Sequence, residues 1–161
     1  MKHHHVCLIV SDLDKALAMW TTLFDFTIDV KFTAPDDAFA AAPDSTFPKL
    51  MEDIWGLKGP RTKVALLSSP GGALLELQEA LNPKIRKSDP NTMTYYHTGM
   101  REVGFQVENI DDWFAKVKKA GYKTQTDYVW NLSDTARSFL FYDDDHHLIQ
   151  LVENPNGSGW L

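Results

Sequence analysis

The sequence predicts an α+β fold made of two βαβββ modules in tandem, and three observations carry that prediction. First, His5-Val6-Cys7-Leu8-Ile9-Val10-Ser11-Asp12-Leu13-Asp14 is echoed by Glu102-Val103-Gly104-Phe105-Gln106-Val107-Glu108-Asn109-Ile110-Asp111, so that His5 and Glu102, Val10 and Val107, and Leu13 and Ile110 all stand 97 residues apart. Second, Glu76-Leu77-Gln78-Glu79 is echoed by Gln150-Leu151-Val152-Glu153 at an offset of 74. The difference between 97 and 74 gives the first copy about 23 extra residues, which fall mostly in an insertion over 33–61. Third, 161 residues with 43% hydrophobic and 24% charged side chains suffice for a core without disulfides.

Each element follows from local pattern. His4 to Val10 reads as a strand, with His5, Cys7 and Ile9 on one face and Val6, Leu8 and Val10 on the other. Ser11 is the N-cap candidate of a helix whose buried face is Leu13, Leu17, Trp20 and Phe24. Phe26 to Phe32 is a second strand, and 33–61 holds the turn-like Ala42-Pro43-Asp44-Ser45 and a short helix over Phe47 to Leu57. Thr62 to Ser68 and Ala73 to Glu79 form a hairpin about Ser69-Pro70-Gly71-Gly72. In the second module, Glu102 to Val107 is a strand and Asn109 an N-cap candidate. A helix follows with Trp113, Phe114 and Val117 on its apolar face, and Gly121 ends it. Lys123 to Trp130, Arg137 to Tyr142 and His147 to Glu153 complete the strands. The divisions are thus 1–80 for the first module, 81–98 for a Pro- and Lys-rich linker, 99–154 for the second module and 155–161 for a tail, all within one compact domain.

Composition narrows the function. A formal net charge of −6 leaves no basic excess for phosphates and argues against nucleic acid. No stretch reaches the roughly 20 apolar residues of a membrane span. The start of the chain does not read as a signal peptide, and the single cysteine, Cys7, fits a reduced, cytoplasmic setting. His3-His4-His5 runs directly into a strand pattern and is read as native.

With these motifs placed, the chain resembles the vicinal oxygen chelate superfamily of glyoxalase I, methylmalonyl-CoA epimerase, extradiol dioxygenases and the fosfomycin- and bleomycin-resistance proteins. The resemblance rests on His5-Val6-x-Leu8-x-Val10-x-Asp12-Leu13-Asp14-Lys15-Ala16, Leu74-Leu75-Glu76-Leu77, Gly99-x-x-Glu102-Val103-Gly104-Phe105-x-Val107 and Asp143-x-Asp145-x-x-Leu148-Ile149-Gln150-Leu151-Val152-Glu153. It implies a glyoxalase-like fold, with curved mixed sheets enclosing a cavity. It also implies a ligand on the first, fourth, fifth and eighth strands, which places the metal set at His5, Glu76, Glu102 and Gln150. Two positions depart from the family's pattern. The fifth strand commonly offers histidine, here Glu102, and the eighth commonly offers glutamate, here Gln150. One His, two Glu and one Gln nonetheless repeat the inventory of animal glyoxalase I sites, in another order.

The function the resemblance implies is a lyase or isomerase dependent on one divalent metal (Zn²⁺, Ni²⁺, Co²⁺, Mn²⁺ or Fe²⁺) and acting on a small oxygenated substrate. The metal stabilises an enolate, and Glu76 or Glu102 moves a proton. Metal-free members give the alternative, a cavity protein that sequesters a drug or an aromatic metabolite. An extradiol dioxygenase is weaker, because its iron site needs two His and one carboxylate and only His5 stands at these positions. Cys7, Phe47, Trp55 and His146 are further candidates for the cavity wall, each set against a plain packing or surface role. A homodimer is expected, as family members usually pair.

Overall fold

The computed structural model describes residues 1–36 and 47–157, except for the side chain of Phe47, so the turn expected at 42–45 and the end of the tail lie outside the described residues. The chain divides into two compact units, Met1–Lys87 and Ser88–Leu161. In the first, β1 (Val6–Ile9), α1 (Leu13–Thr22), β2 (Thr27–Ala34), α2 (Phe47–Trp55), β3 (Arg61–Ser68) and β4 (Leu74–Asn82) follow in order. In the second, β5 (Glu102–Gln106), α3 (Ile110–Lys119), β6 (Trp130–Asn131), β7 (Arg137–Tyr142) and β8 (Leu148–Glu153) follow a 3₁₀ turn at Pro90–Thr92.

Each unit carries one mixed four-stranded sheet, ordered β1-β4-β3-β2 in the first and β5-β8-β7-β6 in the second. The first strand of each unit pairs parallel with the last, and the remaining pairs are antiparallel. The repeat extends to register: Cys7 faces Glu76, and Gly104, 97 residues after Cys7, faces Gln150, 74 residues after Glu76. These two α+β sheets, each with a helix packed on it, are the tandem βαβββ architecture the sequence predicts. The Ser69–Gly72 hairpin forms as expected. Gly72 takes the left-handed conformation at φ +84, which glycine adopts without steric cost, and its N–H donates to the Ser69 carbonyl at 2.9 Å.

Two local expectations are corrected. The first helix start is capped one residue later than predicted, while Asn109 is the N-cap residue of α3 as predicted. Asp12, not Ser11, is the N-cap of α1, accepting from Lys15 N at 3.1 Å. Asn109 holds the N-cap position of α3 in a left-handed conformation but makes no side-chain cap bond. The first helical N–H groups are instead taken by the last strands: Leu13 N donates to Glu79 Oε2 at 2.9 Å, and Ile110 N to Glu153 Oε1 at 3.2 Å. Each of these carboxylates also faces a cation from the adjoining strand, Lys63 at 3.0 Å and Arg137 at 4.0 Å. The strand expected over Lys123 to Trp130 shrinks to β6 and an isolated bridge between Thr124 and Phe141. Its run of Lys, Thr, Gln and Asp has little apolar surface to hold it on a sheet, and the backbone bonds it keeps are Gln125 N to Leu140 O and Tyr142 N to Lys123 O.

The cores lie between sheet and helix. Leu13, Leu17 and Trp20 of α1 are buried as their spacing requires, alongside Ala65, Leu67, Leu75 and Leu77 of the sheet. In the second unit Ile110 and Val117 are buried with Phe139, Phe141, Ile149 and Leu151. Alternation along the strands leaves the opposite sheet face for His5, Glu76 and Gln78 in one unit and Glu102 and Gln150 in the other.

Candidate functional site

The first unit builds a cavity of about 470 Å³ on its free sheet face. Phe32, Val64, Leu66 and Leu74 form its apolar floor, and Leu50, Met51 and Ile54 of α2 form a wall. His5, Glu76 and Gln78 supply a polar cluster on the β1–β4 side. His5 Nε2 stands 3.3 Å from Glu76 Oε2, while Gln78 Nε2 donates to Glu76 Oε1 at 2.7 Å. The Gln78 amide must present its nitrogen to the carboxylate, since only the NH₂ end donates. Its Oε1 is then left buried without a protein partner among the described residues. His4 Nδ1 and His5 Nδ1 are 2.8 Å apart, so one ring donates to the other and the orientation of His5 is fixed from behind.

Cys7 lies beside Glu76 in register and keeps exposed surface. Partial burial of the thiol, and then the charge of Glu76, push its pKa up to about 11. At neutral pH it is therefore a protonated thiol and a weak nucleophile. Trp55 ends α2 and does not line the cavity; its Nε1 is buried without a partner among the described residues. The α2 helix does contribute to the cavity wall, through the aliphatic Leu50 and Ile54 and not through Trp55, while the side chain of Phe47 lies outside the described residues. The spacing of Leu50 and Ile54, one helical turn apart, is the sequence signal that could have found them.

In the second unit Glu102 and Gln150 share one sheet face. The Tyr95 hydroxyl donates to Glu102 Oε2. Burial of that hydroxyl, and then the Glu102 carboxylate, raise the Tyr95 pKa above its ordinary range and keep it a donor. Gln150 Oε1 lies over Gly104, where an added Cβ would come within 3.6 Å of it. His146 sits in the turn before β8 at φ +64, and its N–H donates to the Asp143 carbonyl. Its neighbour His147, half-buried as well, has Nδ1 2.8 Å from Asp143 Oδ2. Burial alone would lower the His147 pKa, but the hydrogen bond and charge of Asp143, with the charge of Asp145, raise it overall.

That raised value has a definite sign. A group with a raised folded pKa stabilises the protein fully below its unfolded value of about 6.5, and the contribution is lost as pH rises through the folded pKa. Denaturant titrations of the natural chain and of His147→Gln, from about pH 5 to pH 9, are expected to show a stability difference that is largest at the acidic end and shrinks toward the alkaline end. A difference that grows with pH would refute the assignment.

A superfamily model spans residues 2–151 of the chain: the Glyoxalase/Bleomycin resistance protein/Dioxygenase superfamily. The chain belongs to this superfamily. Solved glyoxalase-fold structures agree with it. A glyoxalase family protein from Bacillus cereus aligns with a TM-score of 0.77 at 20% identity, covering 95% of this chain and 93% of that one. The fosfomycin resistance protein FosX from Listeria monocytogenes aligns at 0.58 and 20% identity, covering 96% and 93%. TioX from Micromonospora sp. ML1 aligns at 0.55 and 18% identity, covering 99% of each chain. At these identities the likeness is one of fold. No curated protein matches the sequence. Superfamily proteins bind small molecules and commonly a divalent metal, and FosX has a structure with Mn(II) and sulfate. No described helix of this chain is long and apolar enough to cross a membrane.

The donor set fits such an ion chemically. His5 Nε2 and Glu76 Oε2, at 3.3 Å, are spaced as two adjacent ligands with bonds of about 2.1 Å would be. Within either unit, among the described residues, no three His, Cys, Asp or Glu side chains converge, so each unit by itself offers a pair: His5 with Glu76, and Glu102 with Gln150.

Proposed function

We propose that this chain is a divalent-metal-dependent lyase or isomerase acting on a small oxygenated substrate, with His5, Glu76, Glu102 and Gln150 as the residues that hold the ion. The observation that carries this reading is the His5–Glu76 pair at 3.3 Å, on the sheet face that also lines the cavity. Two carboxylates offset a dication's charge, while the imidazole and the Gln150 amide oxygen add neutral donors. When bound, the ion supplies Lewis-acid stabilisation of negative charge developing on a substrate oxygen. The protein's own part is positional and protonic. Gln78 orients Glu76 from one side, and His4 steadies His5 from the other. Glu76 or Glu102 moves the proton; Tyr95, kept protonated, fixes the Glu102 carboxylate by donating to it. Cys7 takes no covalent part, because its thiol is protonated at neutral pH.

A second reading, a metal-free protein that sequesters an apolar molecule, is favoured by the apolar floor and wall of the cavity and by Glu76 already being paired within the protein. Elemental analysis separates the two. Protein produced in medium supplemented with zinc, manganese, nickel, cobalt and iron, then dialysed, is expected to retain a near-stoichiometric divalent ion. Retention of none would overturn the enzymatic reading and leave the sequestering one. A homodimer and a cytoplasmic setting accompany the proposal, and size-exclusion chromatography with light scattering tests the former.

A further inference from the structure

We infer that the molecule received by the first unit's cavity is electrically neutral, with a bulky apolar body and its oxygens at one end, and that Leu50 and Ile54 of α2 determine the preference for that body. The location of the oxygens rests on the proposed metal reading; the character of the body does not. The cavity's polar groups concentrate on β4 and on His4 and His5 just before β1, while β2, β3 and α2 present Phe32, Val64, Leu66, Leu50 and Ile54. Asp29 on β2 is the exception, and it is engaged by the Ser68 hydroxyl at 2.9 Å. About 470 Å³ is within the roughly 300–1,000 Å³ of small-molecule sites, well beyond what a three-carbon substrate needs.

Two features indicate that this wall is built for a guest. Met51 is 4% exposed and anchors α2, yet Leu50 and Ile54 remain 46% and 64% exposed. Leu66 and Leu74 on the floor are 37% and 38% exposed. Apolar side chains gathered in one concavity and left in water gain by covering one another with a hydrocarbon or aryl body. Charge also selects. Among the described residues no Lys or Arg lines the cavity, whereas Glu76 and Asp29 do. Away from the ion that the proposed reading places at His5 and Glu76, a phosphate, phosphonate or carboxylate tail on the body would meet Asp29 with no Lys or Arg to receive it.

Calorimetric titration of the full chain with octane-1,2-diol, propane-1,2-diol and 1S,2S-dihydroxypropylphosphonic acid tests the inference. Octane-1,2-diol is expected to bind at least tenfold tighter than either short compound. In the double variant Leu50→Lys/Ile54→Lys, whose positions are solvent-exposed and so compatible with folding, the preference is expected to fall below threefold while Tm and metal content stay unchanged. Equal affinities in the natural chain, tighter binding of the phosphonate, or a preference that survives in the double variant would overturn it. Metal content is read separately on the same samples. Chain-length preference without metal would sink the enzymatic reading and the placing of the oxygens while leaving the apolar-body preference standing, and metal without preference would sink this inference alone.

Discussion

Glu76→Ala is expected to weaken retention of a divalent ion by roughly a hundredfold or more, since loss of an outer-shell partner alone commonly costs 10–100-fold. The change removes a carboxylate charge, and with it the acceptor of Gln78 Nε2 and the ion partner of His5 Nε2. Glu76→Gln keeps an oxygen acceptor of nearly the same shape and deletes only the charge, so it separates charge from geometry. A second readout comes from Cys7. Burial is the larger cause of its raised pKa and the Glu76 charge the smaller, so both variants are expected to move the thiol part of the way down from about 11. Alkylation by iodoacetamide near pH 9 should then run faster than in the natural chain. Unchanged metal content in Glu76→Ala would remove this residue from the ligand set. Unchanged alkylation would show that the Cys7 thiol does not sense the carboxylate.

The repeat was legible because it is written in periodicities that depend only on neighbours. The alternation of His5 to Val10 and Glu102 to Val107, and the helical spacing of Leu13, Leu17 and Trp20, need no knowledge of the partner strand. The helix starts were not legible in the same way. Local pattern places Asn109 correctly at the start of α3 and misses the start of α1 by one residue, Ser11 for Asp12, but it does not show where the first N–H groups go. The carboxylates that receive the first N–H groups of α1 and α3, Glu79 and Glu153, lie 66 and 43 residues further along. Their role exists only once β4 and β8 lie beside β1 and β5.

The candidate site divides along the same line. The family resemblance put His5 and Glu76 in one set, and their pairing at 3.3 Å follows from the parallel register of β1 and β4. Gln78 escaped notice because a polar residue two positions along a strand from Glu76 has no local signature beyond parity. In α2, residue size misdirected the expectation. Trp55 is the largest side chain available, but as the terminal residue of the helix it points elsewhere, while the plainer Leu50 and Ile54 face the cavity.

Comparing the units at the offsets of the repeat reveals an exchange of bulk. Trp20 of α1 corresponds to Val117 of α3 at the 97-residue offset, and Ala65 of β3 corresponds to Phe139 of β7 at the 74-residue offset. All four are 0% exposed. The first core therefore takes its large side chain from the helix and its small one from the sheet, and the second does the reverse. Trp20 packs against Phe24 and Phe26 with centroids at 5.1 and 5.2 Å, whereas Phe139 meets Phe114 edge to face at 5.1 Å. Trp20→Ala is expected to cost about 3–5 kcal/mol in denaturant titration, the range for emptying an aromatic site in a core. Trp20→Val leaves a smaller void and should cost somewhat less. Ala65→Phe alone overpacks a filled layer and is expected to cost about 1–3 kcal/mol. If the two positions share one volume, Trp20→Val with Ala65→Phe imports the second unit's arrangement into the first, and the double variant is more stable than the sum of its parts by about 0.5–3 kcal/mol. Strict additivity of the two costs would mean that the helix and strand positions fill separate spaces, and that the matching offsets reflect ancestry of the chain without a shared packing solution.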